Sequence, residues 1–76
     1  MEINMAWQVL EIPASHHVNS LRASFGRRAD SAYKQMGLRR LREASRLADS
    51  NKDRAFELIR EANQMLLKAQ ALDARS

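Results

Sequence analysis

Apolar residues recur every three or four positions over most of this 76-residue chain, which is the spacing of one face of an α-helix. The first run covers residues 2–10, and Pro13 ends it because proline cannot continue a helix. The last run covers residues 51–74 and follows the polar break at residues 49–51. The pattern therefore predicts an all-α protein with a short N-terminal helix and a long C-terminal one.

A second apolar stripe predicts one long helix over residues 16–36. At 100° per residue, six apolar side chains fall on one face of this helix: Val18, Leu21, Phe25, Ala29, Ala32 and Met36. Ser15 is a candidate N-cap, Gly26 lies in the helix interior, and Gly37 suits the position just after a helix end. A further helical stretch over residues 38–48 is either a separate helix or a continuation of this one, and both readings stay open.

The predicted C-terminal helix is apolar on two sides. One stripe carries Phe56, Ile59, Leu66 and Leu67, and the other carries Leu58, Ala62, Met65, Ala69 and Leu72. A helix with two apolar sides has to pack against a separate helix or chain on each side. The second stripe therefore meets the 38–48 stretch, the N-terminal helix or a second chain, and self-association through Leu58, Met65 and Leu72 is one expectation. Ser50 followed by Asp53 predicts a capping box at its start.

Length and composition limit the class of protein. The chain is long enough for one small domain, residues 1–76. It has no cysteine, which excludes disulfides and thiolate metal sites. It also has no apolar run of the roughly 18–20 residues that a membrane span needs, and its N-terminus lacks the features of a signal peptide. We therefore expect a cytoplasmic protein with no membrane partner.

The positive charge is concentrated in the middle of the chain. The net charge is +4, and residues 18–47 hold eight arginine or lysine residues against Asp30 and Glu43. Such a segment attracts acidic protein surfaces or phosphate groups. The candidate partner-binding residues are Arg22, Arg27, Arg28, Lys34, Arg39 and Arg40.

The same charge leaves nucleic-acid binding open as the alternative function. Against it stand the few aromatic residues available for base stacking and the lack of a convincing helix-turn-helix pair. Catalysis has little support, because no nucleophile motif, phosphate-binding glycine loop or carboxylate pair is present. The adjacent His16 and His17 point about 100° apart on a helix and make a poor metal pair. We expect a non-enzymatic protein with no cofactor and no metal.

The order and spacing of the apolar residues resemble those of a known family. Trp7, Val9 and Leu10 lead without a gap into Leu21 and Phe25, and the last helix repeats the family's pattern at Phe56, Ile59 and Ala62. In these positions the chain resembles the J-domain (DnaJ-like) family. The resemblance implies a small helical bundle built on an antiparallel helical hairpin with a short N-terminal helix. The 38–48 stretch would be an extra helical element.

The functional tripeptide of that family is missing here. On the alignment, the His-Pro-Asp motif of J-domains, which triggers ATP hydrolysis in a DnaK-type chaperone, falls on Tyr33-Lys34-Gln35. The basic helix face that docks on the chaperone in J-domains keeps its character through Arg22, Arg27 and Lys34. The resemblance therefore implies an adaptor, decoy or regulator that docks on its partner without triggering ATP hydrolysis. A DnaK-type chaperone is one candidate partner.

We expect this chain not to stimulate a DnaK-type ATPase, because it lacks the tripeptide that does so in J-domains. The measurement is single-turnover ATP hydrolysis by the chaperone with increasing amounts of the protein, and an intact J-domain serves as the positive control. A dose-dependent rise in the hydrolysis rate would contradict the prediction.

Overall fold

Three α-helices make up most of the part of the chain that the structure describes. The structure is a computed structural model that describes residues 12–75. Its helices are α1 (Ala14–Gly26), α2 (Ala32–Leu47) and α3 (Lys52–Arg75), and these residues contain no strand. The predicted all-α fold and small helical bundle are confirmed. The predicted helix over residues 2–10, which includes Trp7, lies outside the described residues.

Helices α2 and α3 form an antiparallel hairpin, and α1 packs against both of them. Arg40 contacts Glu61, while Tyr33, earlier in α2, contacts Lys68, later in α3, so the two helices run in opposite directions. All three helices contribute to one core of buried apolar residues. Its buried members are Ala14, Val18, Phe25, Leu41, Ala44, Ala55, Leu58, Ile59, Ala62 and Leu66.

The single helix predicted over residues 16–36 is wrong, because the chain leaves the helical path after Gly26 and starts a new helix at Ala32. Ser31 has an extended backbone (φ −162°, ψ 166°), and its Oγ accepts a hydrogen bond from the Lys34 backbone N–H at 3.2 Å. This N-cap satisfies a backbone donor that the helix itself leaves free, and it favours starting a helix here. The predicted stripe fails at the same point, since Ala29 and Ala32 are exposed.

Side chains satisfy the backbone of the turn between α1 and α2. The Lys34 Nζ donates to the carbonyl oxygen of Arg28 at 3.0 Å, and the Ala29 N–H donates to a carboxylate oxygen of Asp73 at 3.4 Å. The guanidinium of Arg28 also lies 3.5 Å from that carboxylate. The turn is thus tied both to the start of α2 and to the end of α3.

Gly37 lies inside α2 and does not end a helix. It is buried and has no positive φ, unlike a glycine in the left-handed position after a helix end. The ring of Phe25 sits against its backbone, and a Cβ at this position would lie only 2.7 Å from the ring Cε1 atom. Because glycine lacks that atom, α1 and α2 can approach closely at this point. The stretch over residues 38–48 is therefore the main part of a separate helix.

Gly26, by contrast, sits where nothing would meet an added side chain. It is the last residue of α1, it is exposed, and an ideal Cβ there would have no heavy atom within 4 Å beyond its chain neighbours and the backbone of its own helix. The predicted place of Gly26 in a helix interior is therefore wrong, because α1 ends at this residue.

The helix N-caps differ from those predicted. Pro13 is the N-cap of α1 and makes no side-chain hydrogen bond, so Ser15 lies within the first turn of the helix. At the start of α3, the Oδ1 of Asn51 accepts from the Arg54 N–H at 3.2 Å. Asn51 therefore has the capping role predicted for Ser50, since asparagine also places a side-chain oxygen near the free amides of the first turn.

Most residues of the two apolar stripes of α3 pack within the chain, but Leu67 of the first stripe is 58% exposed. Leu58, Ile59 and Leu66 are buried in the core that the three helices share, and Met65 packs against it. Leu72 is 43% exposed. The surface expected for self-association is therefore incomplete, because Leu58 is already covered. Between residues 12 and 75 no helix is both long and apolar enough to cross a membrane.

Replacing Gly37 with alanine should lower the free energy of unfolding, although the same change usually stabilises a helix interior by about 1 kcal/mol. The added methyl group would meet the buried Phe25 ring, and overpacking a core costs about 1–3 kcal/mol. Urea denaturation followed by circular dichroism measures the change. Gly26→Ala is the matched control and should not destabilise the protein. Adding Phe25→Leu to Gly37→Ala should recover part of the loss, and a Gly37→Ala variant as stable as the parent would contradict the contact.

Asn51→Ala should destabilise the protein by about 0.5–2 kcal/mol, because it leaves the Arg54 N–H without its acceptor. Ser50→Ala, one residue earlier, removes a hydroxyl that does not cap α3 and should change stability much less. Thermal unfolding of the two variants side by side makes the comparison. A larger loss for Ser50→Ala would show that the capping box predicted from the sequence forms after all.

Candidate interaction surface

The six basic residues singled out from the sequence lie in two different environments. Arg28, Lys34 and Arg40 are half-buried and bonded to other parts of the chain. Arg22, Arg27 and Arg39 are exposed. The sequence placed Arg27 and Lys34 on one face of one helix, and this is wrong because the helix break separates them. Arg27 follows the end of α1, and Lys34 lies in the first turn of α2.

Arg40 connects the two helices of the hairpin. Its Nε donates to Glu61 Oε1 at 3.0 Å, and its Nη1 donates to the carbonyl oxygen of Met36 at 3.3 Å. Glu61 also lies 3.7 Å from Arg54. Because these side chains are partly exposed to solvent, each ion pair contributes no more than about 1 kcal/mol to folding. The pairing nevertheless neutralises much of the charge of Arg40.

A shallow groove lies beside this ion pair. Its volume is about 390 Å³, and its lining combines three arginines, two glutamates and a leucine: Arg39, Arg40, Glu43, Arg54, Leu58 and Glu61. Because both signs of charge are present, the groove does not form a uniformly positive site. Of the three arginines that line it, Arg39 is the one without a carboxylate partner among residues 12–75.

The three exposed residues of this set make no ion pair with the described residues. Arg22, Arg27 and Arg39 have no carboxylate within 4.0 Å in residues 12–75. Arg42 was not among the residues singled out from the sequence. It is exposed on α2 and likewise has no carboxylate within 4.0 Å in residues 12–75. Among the described residues, these four guanidinium groups are therefore exposed and have no carboxylate partner.

Arg39, Arg42 and Arg46 form what we call the outer strip of α2. At 100° per residue they fall within about 60° of one another around the helix, and they span about 10 Å along its axis. All three are exposed, while Leu41 and Ala44 of the same helix face the core. The sequence shows the spacing of the three arginines, but the burial of Leu41 and Ala44 is needed to show that they point away from the core.

Glu43 is the acidic residue beside this strip. Its carboxylate accepts two hydrogen bonds from Arg46, at 3.2 Å from Nε and 2.6 Å from Nη2. This bond raises the pKa of Arg46 above its usual value, because the carboxylate favours the charged guanidinium. The Arg46 side chain is still 71% exposed and that of Glu43 is 42% exposed, so solvent reaches the pair.

The described part of the chain contains a second cavity and no cluster of metal-binding side chains. The cavity, of about 370 Å³, lies where the start of α1 meets the turn between α2 and α3, and Ile12, Pro13, Ala48 and Phe56 give it a largely apolar lining. Its charged residues are Asp49 and Lys52. In residues 12–75 no three histidine, aspartate or glutamate side chains are grouped so that they hold a metal ion.

The residues aligned with the J-domain tripeptide lie in the first turn of α2. The backbone N–H of Lys34 is bonded to the Ser31 N-cap, and the Gln35 side chain donates to Asp30 at 2.7 Å. Tyr33 is 37% exposed, and the Lys68 ammonium lies 5.8 Å from the centre of its ring. All three positions therefore contribute to the start of a helix.

Comparison of the chain with family models, curated proteins and solved structures gives no match. The likeness to J-domains consequently stays a prediction from the order and spacing of its apolar residues.

Proposed function

We propose that this chain is a non-enzymatic helical interaction module that binds an acidic surface of a partner protein. The observation that carries the proposal is the unpaired charge of Arg22, Arg27, Arg39 and Arg42, which are exposed and have no carboxylate partner in residues 12–75. Exposed charges of one sign speed association with an oppositely charged partner and make that association sensitive to salt.

The internal ion pairs narrow the choice of binding residues. Arg28 and Arg40 are bonded to Asp73 and Glu61, and Lys34 is bonded to the turn before α2. A partner would have to break those contacts to use the three side chains. Of the six residues predicted from the sequence, Arg22, Arg27 and Arg39 are therefore the ones we propose to bind directly, with Arg42 added.

The resemblance to J-domains supplies one candidate partner, a DnaK-type chaperone. The proposed role is that of an adaptor or regulator that docks on the chaperone without stimulating its ATPase. The residues aligned with the tripeptide support the absence of ATPase stimulation. Tyr33-Lys34-Gln35 contains no histidine, proline or aspartate, and it lies at a helix start. Competition with an intact J-domain for the chaperone tests this narrower version.

Reversing Arg27 and Arg39 to glutamate should reduce partner capture to background, since the change removes two cations that have no carboxylate partner in residues 12–75 and introduces two repelling charges. Tagged parent and variant are incubated with cell lysate at about 50 and 300 mM salt, a range over which screening of exposed charges becomes strong. Bound proteins are identified by mass spectrometry with and without nuclease treatment. Capture should also fall as the salt concentration rises.

The matched control carries Arg60→Glu and Arg75→Glu. Both residues are exposed on α3, and the double change alters the net charge by the same amount. The control should retain capture, and both variants should keep the parent's circular dichroism spectrum. Equal loss in the two variants would mean that net charge alone governs binding, and loss of capture after nuclease treatment would show that nucleic acid is the partner. Either result would overturn the proposal.

A further inference from the structure

The three arginines of the outer strip of α2 are regularly spaced along the helix, and this spacing suggests the shape of a partner as well as its charge. We propose that Arg39, Arg42 and Arg46 bind an acidic α-helix of the partner protein, and that Glu43 acts as an internal competitor for Arg46. This inference rests on the function proposed above, because it names the shape of the acidic partner and the residues that hold it.

The spacing of the three arginines favours a helical partner. Successive members of the strip are three and four residues apart, which places them about 4.5 and 6 Å apart along the axis of α2. A second helix running beside α2 presents carboxylates at the same intervals when they are spaced three or four residues apart. An extended chain presents side chains on one side only about every 6.6–6.8 Å, so it would place two carboxylates along a strip that offers three guanidinium groups.

The bond between Glu43 and Arg46 shows how a carboxylate binds to this strip. Both oxygens of Glu43 accept from one guanidinium, at 2.6 and 3.2 Å. Such bidentate pairs with arginine are strong and directional. A partner carboxylate can take the place of Glu43, because both side chains of the pair are exposed to solvent. Until it does so, Glu43 lowers the positive charge that an approaching partner encounters.

The position of Glu43 also argues for protein over nucleic acid. Glu43 lies about 40° from Arg39 around α2, and both residues line the groove that also holds Glu61. A phosphate backbone carries regularly spaced negative charge and would be repelled at these glutamates. An acidic helix of a protein can place a neutral or basic residue opposite them.

The probes for testing this inference are alanine-based helical peptides of about 20 residues, a length at which such helices are reasonably stable. Two peptides carry three glutamates in register with the strip, at i, i+3, i+7 and at i, i+4, i+7, one for each relative direction of the helices. An isomer of the same composition spreads the glutamates around the helix at every fifth position. Binding is followed by two-dimensional NMR at low salt, with attention to the arginine Nε–H signals, and a duplex DNA oligonucleotide is titrated in parallel.

An in-register peptide should shift the Nε–H signals of Arg39, Arg42 and Arg46 and bind at least threefold more tightly than the isomer. Arg42→Gln should weaken this binding, and Glu43→Gln should tighten it severalfold. Glu57→Gln is the control for the second change, because Glu57 pairs with Arg54 at the same i, i+3 spacing, at 3.0 Å, and its removal changes the net charge equally. It should leave the affinity nearly unchanged.

Two results would overturn the inference in distinguishable ways. If the isomer binds as tightly as the in-register peptides and Arg42→Gln has no effect, the strip does not recognise a helix, while the general proposal of acidic-surface binding stands. If the peptides do not bind and the duplex does, both the inference and the proposed function fail. An equal gain in affinity from Glu43→Gln and Glu57→Gln would remove the competitor role of Glu43.

Discussion

The contact between the Phe25 ring and the backbone of Gly37 holds α1 against the α2–α3 hairpin. Phe25 is fully buried, and its ring occupies the space that a side chain at position 37 would fill. A side chain there would push the two helices apart and open the core that they share with α3, since protein interiors have few voids to absorb such a shift. The fold of this small domain therefore depends on glycine at a position where most helices favour another residue.

The sequence was most informative where one long periodic segment had clear ends. Helix α3 was predicted over residues 51–74 and is observed at Lys52–Arg75, because its apolar spacing persists over many turns. Periodicity misled the prediction for residues 16–36, since Ala29 and Ala32 continued the apolar spacing across a real break. The hydrogen bond from the Lys34 amide to Ser31 decided the local structure there. Gly37 was misread for a related reason, because a close approach by another helix depends on tertiary packing.

The sequence predicted only part of the candidate surface, because ion pairs between distant residues decide which cations stay unneutralised. Net charge and its position along the chain can be read directly from the sequence, and they led to the basic middle segment. Which of its cations are neutralised depends on residues far away in sequence, as the pairs of Arg28 with Asp73 and of Arg40 with Glu61 show. The outward position of Arg42 on α2 follows only from the burial of Leu41 and Ala44, which the sequence alone does not show.

Helix α3 is about 36 Å long and is longer than α2, the other helix of the hairpin, which is about 24 Å long. Its final turns therefore extend past the start of α2, where Asp73 bonds to both Arg28 and the Ala29 amide. Fraying of a helix end is a local opening that costs much less than global unfolding. Each such opening would also free the Ala29 amide and the Arg28 guanidinium, while the bond from Lys34 to the turn between α1 and α2 would remain. Fraying of this helix end would therefore increase the number of unpaired cations that the molecule exposes to solvent.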